Sequence, residues 1–139
     1  MTTEREHKAP YVLDDQIGFV LRQAHQRHTA IFAARMIGDL TPTQFAALAR
    51  LHAEGPVSQN QLGRLTAMDV ATIKGVVDRL IARGLVATSP DATDARRRVV
   101  ALTDAGRELI LRALPVAAKI TAETLEPLAA DEQASLLAQ

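Results

Sequence analysis

Apolar residues recur at helical spacing over most of this chain. Residues 1–10 are polar and end at a proline, which predicts a mobile arm. From about Tyr11 to Ile37 the spacing predicts a long first helix with one apolar stripe. We expect that stripe to face inward, and its members are Ile17, Leu21, Ala24, Ile31 and Ala34.

A second helix is predicted to begin at Thr41-Pro42, with the threonine as N-cap and the proline in the first helical position. Gly55-Pro56 is expected to end it. Its apolar stripe consists of Phe45, Leu48 and Leu51.

Two more short helices are predicted to follow. Ser58 is the expected N-cap of the third helix, which carries Leu62 and Leu65. Asp69 is the expected N-cap of the fourth helix, and Gly84 is its expected C-terminal stop. The inward positions of the fourth helix are Ile73, Val76, Val77 and Leu80.

The pattern then changes to two short β-prone runs, residues 85–88 and 98–102. The turn-rich stretch 89–94 between them predicts a β-hairpin. A long helix is expected to begin at Thr103 or Asp104 and to bend near its internal proline.

A last helix is predicted from about Asp131, and the chain stops at Gln139 before this helix has developed. Two interpretations stay open, a truncated C-terminal helix and a native end at this position.

Composition favours a mostly helical globular protein. The chain has 25 alanines and only 3% aromatic residues, and alanine is the best helix former. Its 47% hydrophobic and 23% charged residues exclude wholesale disorder. A helical chain this short has few neighbours for its apolar stripes, so a second copy would supply useful surface. The absence of cysteine excludes disulfides and thiolate chemistry.

No apolar run approaches the ~18 residues of a membrane span. No signal peptide opens the chain, so we expect a soluble cytoplasmic protein that does not contact a membrane.

Charge is neutral in total but unevenly distributed. The chain has 16 Lys+Arg and 16 Asp+Glu. Residues 58–103 have seven basic and four acidic residues, a net +3, and residues 104–139 have three basic and six acidic residues, a net −3. A neutral total therefore does not exclude a nucleic-acid partner, because the field depends on where charges lie.

Two short helices with a tight connection, followed by a basic hairpin, are typical of a winged helix-turn-helix. The second helix of such a pair, here 69–83, fits the major groove and reads base edges. Arginines on the hairpin, here 85–102, can reach phosphates or the minor groove. The predicted fold class is therefore mainly α with a small β-hairpin wing.

Three sets of residues give a more specific resemblance. They are Leu40-Thr41-x-x-Gln44-Phe45-x-x-Leu48, then Val77-Asp78-Arg79-Leu80 with Arg83-Gly84-Leu85-Val86, then Asp94-Ala95-Arg96-Arg97 with Leu102-Thr103 and Gly106. In order and spacing, over nearly the whole chain, they resemble the MarR family of bacterial transcription regulators.

This resemblance implies a single domain over 1–139 that forms a triangular homodimer. Helices in 11–37 and 104–139 would pair the two copies, and 41–103 would form the winged helix-turn-helix. In the wing, the resemblance implies that Asp94 orients Arg96 for the DNA backbone.

The entrance to the fourth helix departs from the family pattern. Many relatives carry Ser-x-x-Thr-Val-Thr-Arg, where this chain has Asp69-Val70-Ala71-Thr72-Ile73-Lys74-Gly75. A lysine thus replaces a hydroxyl and a glycine replaces an arginine. Asp69 would repel phosphates unless it serves only as a cap. The exposed candidates for reading bases are Val70, Ala71, Thr72, Lys74 and Gly75, while Arg79 and Arg83 are expected to contact the DNA backbone or pack within the fold.

The arginine run 96–98 can be an ordinary solvated turn, but its place in a hairpin after a helix-turn-helix favours DNA contact. Strand alternation is expected to direct one of the three away from the groove, and Arg98 is the candidate. The full set of predicted DNA-binding residues is Ser58, Gln59, Thr72, Lys74, Gly75, Asp94, Arg96, Arg97 and Arg98.

Two histidines on the first helix, His25 and His28, are three residues apart and can share a face. A metal site would need further ligands nearby, which the spacing does not supply, so no metal and no cofactor are expected. The leading interpretation of His28 is a core or dimer-interface histidine, and effector contact is the alternative.

The resemblance also implies a pocket for small aromatic acids between the dimer helices and the winged part. Cationic or neutral donors and an apolar wall suit such a ligand, and the predicted residues are Phe19, Arg22, His25, His28, Phe45 and Leu48. Within the family the chain resembles regulators of aromatic-acid catabolism, among them repressors of nicotinic-acid degradation. The implied inducer is a hydroxylated pyridine carboxylate.

We therefore expect a ligand-responsive regulator, a repressor, that binds a pseudo-palindromic double-stranded operator as a homodimer. A winged module that binds proteins without specific DNA binding is the alternative, favoured by the zero net charge and the missing recognition arginine. An enzyme is not expected, because the sequence has no acid–base pair, phosphate loop or nucleophile constellation.

Overall fold

The fold is taken from a computed structural model that describes residues 10–139. Residues 10–139 form six α-helices and a three-stranded antiparallel sheet. In chain order the elements are α1 (Ile17–Arg35), α2 (Pro42–Glu54), β1 (Val57–Ser58), α3 (Gln59–Leu65), α4 (Val70–Ala82), β2 (Val86–Pro90), β3 (Arg98–Leu102), α5 (Asp104–Leu125) and α6 (Ala130–Leu137). The predicted arm over 1–10 lies, apart from Pro10, outside the described residues.

The three predicted side-chain caps at Thr41, Ser58 and Asp69 are confirmed, and Thr103 supplies a fourth cap at the expected start of α5. The Thr41 hydroxyl accepts from the Gln44 amide at 3.2 Å, and Ser58 accepts from Gln61 at 3.1 Å. Asp69 accepts from Thr72 at 2.7 Å, and Thr103 caps α5 by accepting from Gly106 at 3.1 Å. Each cap satisfies an amide that the first helical turn leaves without a backbone partner.

The first helix is shorter than the apolar pattern predicted. A 3-10 turn over Leu13–Asp15 precedes it, and the extended Gln16 separates the two. Four of the five residues of its predicted inward stripe are exposed in the single chain, among them Ile17 at 72% and Leu21 at 61%, and Ile31 is half-buried. The prediction was wrong for Ile17, Leu21, Ala24 and Ala34, because no element of the same chain covers them.

The hairpin is confirmed, and a strand that the sequence did not predict completes the sheet. β2 and β3 pair antiparallel from Val86 opposite Leu102 to Pro90 opposite Arg98. β1 pairs with the other edge of β3, with Val57 opposite Val100. β1 has only two residues, too few for a period-2 pattern to reveal.

The core lies where α2, α3, α4, α5 and the sheet meet. Its fully buried side chains include Leu48, Leu62, Ile73, Val77, Leu80, Val100 and Ile110. Because residues from five elements interdigitate there, the sheet and the helix pair form one packed unit.

Residues 83–85, at the exit of α4, form a junction between elements. The Arg83 guanidinium donates to the carbonyls of Gly38 and Asp39 and to Oε1 of Gln44, the last at 3.1 Å. The Thr103 amide donates to the Leu85 carbonyl at 3.1 Å, and its hydroxyl donates to the Gly84 carbonyl at 2.6 Å. The segment before α2, the exit of α4 and the start of α5 are thereby held together. We call this group of contacts the 83–85 junction.

The other end of α5 is fastened to α1. Arg27 donates to the carbonyl of Glu123 at 2.7 Å and to that of Thr124 at 3.2 Å. Arg35 forms an ion pair with the Glu123 carboxylate. Its hydrogen bond and charge lower the pKa of Glu123, and the same contact raises the pKa of Arg35.

Gly106 is predicted to tolerate no side chain, because a Cβ at this position would overlap the Leu85 carbonyl oxygen. Gly→Ala in a helix ordinarily stabilises a protein by about 0.5–1 kcal/mol. Here we expect Gly106→Ala to lower the free energy of unfolding by about 1–3 kcal/mol, as overpacking does. Urea denaturation followed by circular dichroism measures the change.

Gly75→Ala in α4 is the matched control. The nearest atom to its new Cβ is Nη1 of Arg79 at 3.3 Å, the end of a flexible side chain. Its stability should stay the same or rise, and equal losses in the two variants would contradict the close packing of α5 on Leu85.

Candidate DNA-binding and effector sites

A cationic cleft of about 320 Å³ lies between the start of α3 and the wing formed by β2 and β3. Its lining, which we call the wing cleft, is Ser58, Gln59, Asn60, Arg64, Arg96, Arg97 and Arg98. The structure thus brings together five of the nine predicted DNA-binding residues. With four arginines and no acidic residue in its lining, the wing cleft suits a phosphate group.

Asn60 and Arg64 belong to the wing cleft but were missed by the sequence interpretation. They are four residues apart on α3 and share one face, and Arg64 donates to Oε1 of Gln61 at 2.6 Å. The signal was present in this spacing and in the Ser58 cap that fixes the start of α3. It was weak because the distant wing supplies the other arginines.

The tip of the wing is held by its own carboxylates. Asp94 accepts from the Arg96 amide at 3.1 Å and from its Nε at 3.2 Å. Asp91 accepts from the amide and hydroxyl of Thr93, both at 2.8 Å. These hydrogen bonds lower the pKa of both carboxyl groups, so each is ionised at neutral pH. The arrangement restricts Arg96 while leaving its guanidinium exposed.

Arg98 does not point away from the other two arginines. It lines the wing cleft with Arg96 and Arg97, and its guanidinium contacts the Thr88 hydroxyl across the hairpin. The prediction from strand alternation was wrong because a long side chain at the first residue of β3 can still reach the cleft.

The exposed side of α4, the recognition helix of the pair, has two basic side chains, Lys74 and Arg79. Lys74 forms an ion pair with Asp78 at 2.8 Å, one turn later. Gly75 is half-buried, with the Arg79 guanidinium over it, while Thr72 is exposed. Of the five candidates for reading bases, Val70, Ala71, Thr72 and Lys74 are exposed, and only Thr72 and Lys74 offer polar side chains.

Asp69 acts as a cap. The backbone amide and the side chain of Thr72 donate to its carboxylate and lower its pKa, so the group stays ionised. Arg83 packs within the fold through the 83–85 junction, which is one of the two roles expected for it.

The predicted effector residues form two separate groups in the single chain. Arg22 lies with its guanidinium carbon 6.0 Å from the centre of the Phe19 ring, and His25 on the same helix is exposed. Separately, Phe32 lies between His28 and Phe45, with ring centres 6.3 Å apart in both pairs.

His28 is half-buried, and its Nδ1 lies 3.0 Å from the Thr124 hydroxyl. This bond places the histidine at the point where α1 is fastened to α5. Phe32 and Thr124 were missed by the sequence interpretation, although Phe32 is one helical turn after His28 and continues the same face.

Leu48 cannot form the wall of an open pocket, because its side chain is fully buried. It lies on the face of α2 that packs into the core with Ala47 and Leu51. The sequence placed it on the correct stripe but on a surface that α4 and α5 cover.

Residues 10–139 contain neither a metal-binding cluster nor a membrane-spanning helix. No group of three or more histidine, aspartate or glutamate side chains there could hold a metal ion. No helix in the same residues is long and apolar enough to cross a bilayer.

The chain is similar to known transcription regulators along most of its length. The model of the MarR family matches residues 38–97. The transcriptional repressor NicR of Pseudomonas putida is 43% identical over 129 residues, which cover 92% of this chain and 82% of that protein.

Two solved structures are similar along almost the full chain. A probable transcriptional regulator from Pseudomonas aeruginosa has a TM-score of 0.89 and 55% identity, covering 91% of this chain and 96% of that one. The BpsR regulator of Bordetella bronchiseptica, whose DNA binding is regulated by 6-hydroxynicotinic acid, has a TM-score of 0.88, 39% identity and 93% coverage of both chains. The protein is a transcriptional regulator of the MarR family.

Proposed function

We propose that this chain is a repressor that binds a pseudo-palindromic operator as a homodimer and is released by a small aromatic acid. The wing cleft is the observation that carries the proposal, because its four arginines converge beside the helix pair. Recognition helices enter the major groove, and arginines next to them contact phosphates or the minor groove. The protein acts in the cytoplasm, where the chromosome lies.

Exposed apolar residues near both ends of the chain support the homodimer. In and before α1 they are Tyr11, Val12, Leu13, Ile17, Val20 and Leu21, and in α6 they are Leu136 and Leu137. None of the residues of α6 is buried in the single chain, and Gln133 ties this helix to the carbonyls of Leu125 and Leu128. A second copy that covers these residues would bury the surface that one chain leaves open.

The contacts around His28 support an effector site between α1 and the winged part. His28, Phe32 and Phe45 connect α1 to α2, and Arg22 provides a cation on the outer turns of α1. NicR and BpsR are similar to this chain over most of its length, so a hydroxylated pyridine carboxylate is the ligand we propose. Its binding would change the spacing of the two recognition helices and lower the affinity for the operator.

The first prediction separates phosphate contact from base reading. Arg96→Ala should weaken binding to all duplexes and reduce the salt slope of log K by roughly 1 per subunit, because a phosphate contact is lost. Lys74→Ala should reduce mainly the preference for operator over unrelated DNA. Fluorescence anisotropy with the chain's own upstream intergenic DNA across a salt series measures both.

Lys119→Ala, which removes an exposed cation from the far part of α5, is the charge-matched control and should bind as the unmodified chain does. Affinity without sequence preference or salt dependence would instead indicate a protein-binding winged module, and a pull-down with the same protein would then identify its partner class.

The second prediction distinguishes two effects of Asp94, its effect on the orientation of Arg96 and its effect on the net charge of the wing. Asp94→Asn makes the wing more positive, so charge alone predicts tighter DNA binding. We expect weaker binding at neutral pH, because the ion pair that restricts Arg96 is lost. The lowered pKa of Asp94 means that its pairing persists at neutral pH and is lost only as the pH falls through that lowered value. Tighter binding of the variant would show that Asp94 has no orienting role.

The third prediction concerns the effector. 6-Hydroxynicotinic acid should raise the melting temperature of the unmodified chain, since a ligand of the folded state stabilises it. His28→Ala and Arg22→Ala should reduce this shift, whereas His52→Ala, which alters an exposed histidine at the end of α2, should retain it. Equal shifts in all four proteins would place the ligand elsewhere.

A further inference from the structure

The exposed start of α4 contains an apolar side chain that folding does not explain. Val70 is the first residue of the helix, and its side chain is 69% exposed. It does not contribute to the buried core, whose α4 members are Ile73, Val76, Val77 and Leu80. A β-branched residue also does not favour helix formation. Neither packing nor helix propensity therefore requires a valine here.

The hydrogen-bonding groups around Val70 are already engaged within the helix. The Asp69 carboxylate accepts from the Thr72 amide at 2.7 Å, and its negative charge disfavours a phosphate at this helix end. Lys74, one turn after Val70 on the same face, is paired with Asp78 at 2.8 Å. The exposed groups without a polar partner at the entrance of α4 are consequently the methyl groups of Val70, Ala71 and Thr72, and Val70 carries two of them.

Only one apolar group marks a base edge in the major groove of unmodified DNA, the C5-methyl group of thymine. In helix-turn-helix proteins the first residues of the recognition helix contact base edges. We propose that Val70 is a specificity-determining residue that selects a thymine in each operator half-site through contact with this methyl group. The inference rests on the proposed function, because it requires that α4 enters the major groove of an operator.

Deoxyuridine isolates this contact, because it lacks the methyl group of thymine and keeps every hydrogen-bonding group. The full chain is first used to select its preferred duplex from a randomised pool. Each symmetric pair of thymines is then replaced by deoxyuridine, and the dissociation constant is measured. At one pair we expect a loss of about fourfold per half-site, which is the worth of one buried methyl group, and about sixteenfold for both half-sites.

The loss must depend on Val70. In Val70→Ala the ratio between the thymine and deoxyuridine duplexes should approach one at that pair, and it should stay unchanged at the others. Ile81→Ala, which shortens another partly exposed apolar residue of α4, should retain the ratio of the unmodified chain. Because each ratio is measured within one protein, a general loss of stability in a variant cancels.

A second readout uses cytosine at the same pair. 5-Methylcytosine restores the methyl group on a different base, so it should bind the unmodified chain more tightly than cytosine does, and Val70→Ala should not distinguish them. A selected operator whose affinity is indifferent to every thymine methyl, or equally sensitive in Val70→Ala, would overturn this inference alone. A pool from which no sequence is enriched would overturn the proposed function and this inference together.

Discussion

The 83–85 junction is the constraint on which the arrangement of the molecule depends. Arg83 supplies charged donors to the carbonyls of Gly38 and Asp39 in the turn before α2, and charge-assisted bonds of this kind are stronger than neutral ones. Gln44 links the junction to the capping box of α2, since its Oε1 accepts from Arg83 and from the Thr41 amide. On the other side, Thr103 ties the start of α5 to the carbonyls of Gly84 and Leu85. The recognition helix, the wing and the long helix therefore share one point of attachment.

Local features of this fold could be predicted from the sequence because they depend on neighbouring residues. The caps at Thr41, Ser58 and Asp69 each involve an amide three residues ahead, and the turn at Gly84 requires only a positive φ of 71°. Features that join distant segments were predicted less well. Arg64 reaches the wing cleft only because tertiary packing places α3 beside β3.

Burial was the property that the sequence predicted least well. Leu48 and Ile17 are both members of apolar helical stripes, yet one is fully buried and the other is 72% exposed. Periodicity identifies a face and does not say which element covers it. The exposed face of α1 fits the expectation that a second copy supplies surface for the apolar stripes, although the periodicity does not say which residues that copy would cover.

The wing cleft and the exposed side of α4 differ in how their charges are arranged. Positive charge converges on the wing cleft, whereas on α4 Lys74 is neutralised by Asp78 and Asp69 is committed to its cap. Electrostatic attraction to the DNA backbone and discrimination between bases would thus be supplied by different elements.

The long helix α5 is attached to a different part of the molecule at each of its ends. At one end it is fixed to the 83–85 junction, and at the other it is fastened to α1 by Arg27, His28 and Arg35. Its 22 residues span about 33 Å at the helical rise per residue. A tilt of about 5° would displace its junction end by about 3 Å, close to the 3.4 Å that separates successive base pairs. A change in the hydrogen bond between His28 and Thr124 that tilts α5 would therefore be enlarged to a displacement of about 3 Å at the 83–85 junction.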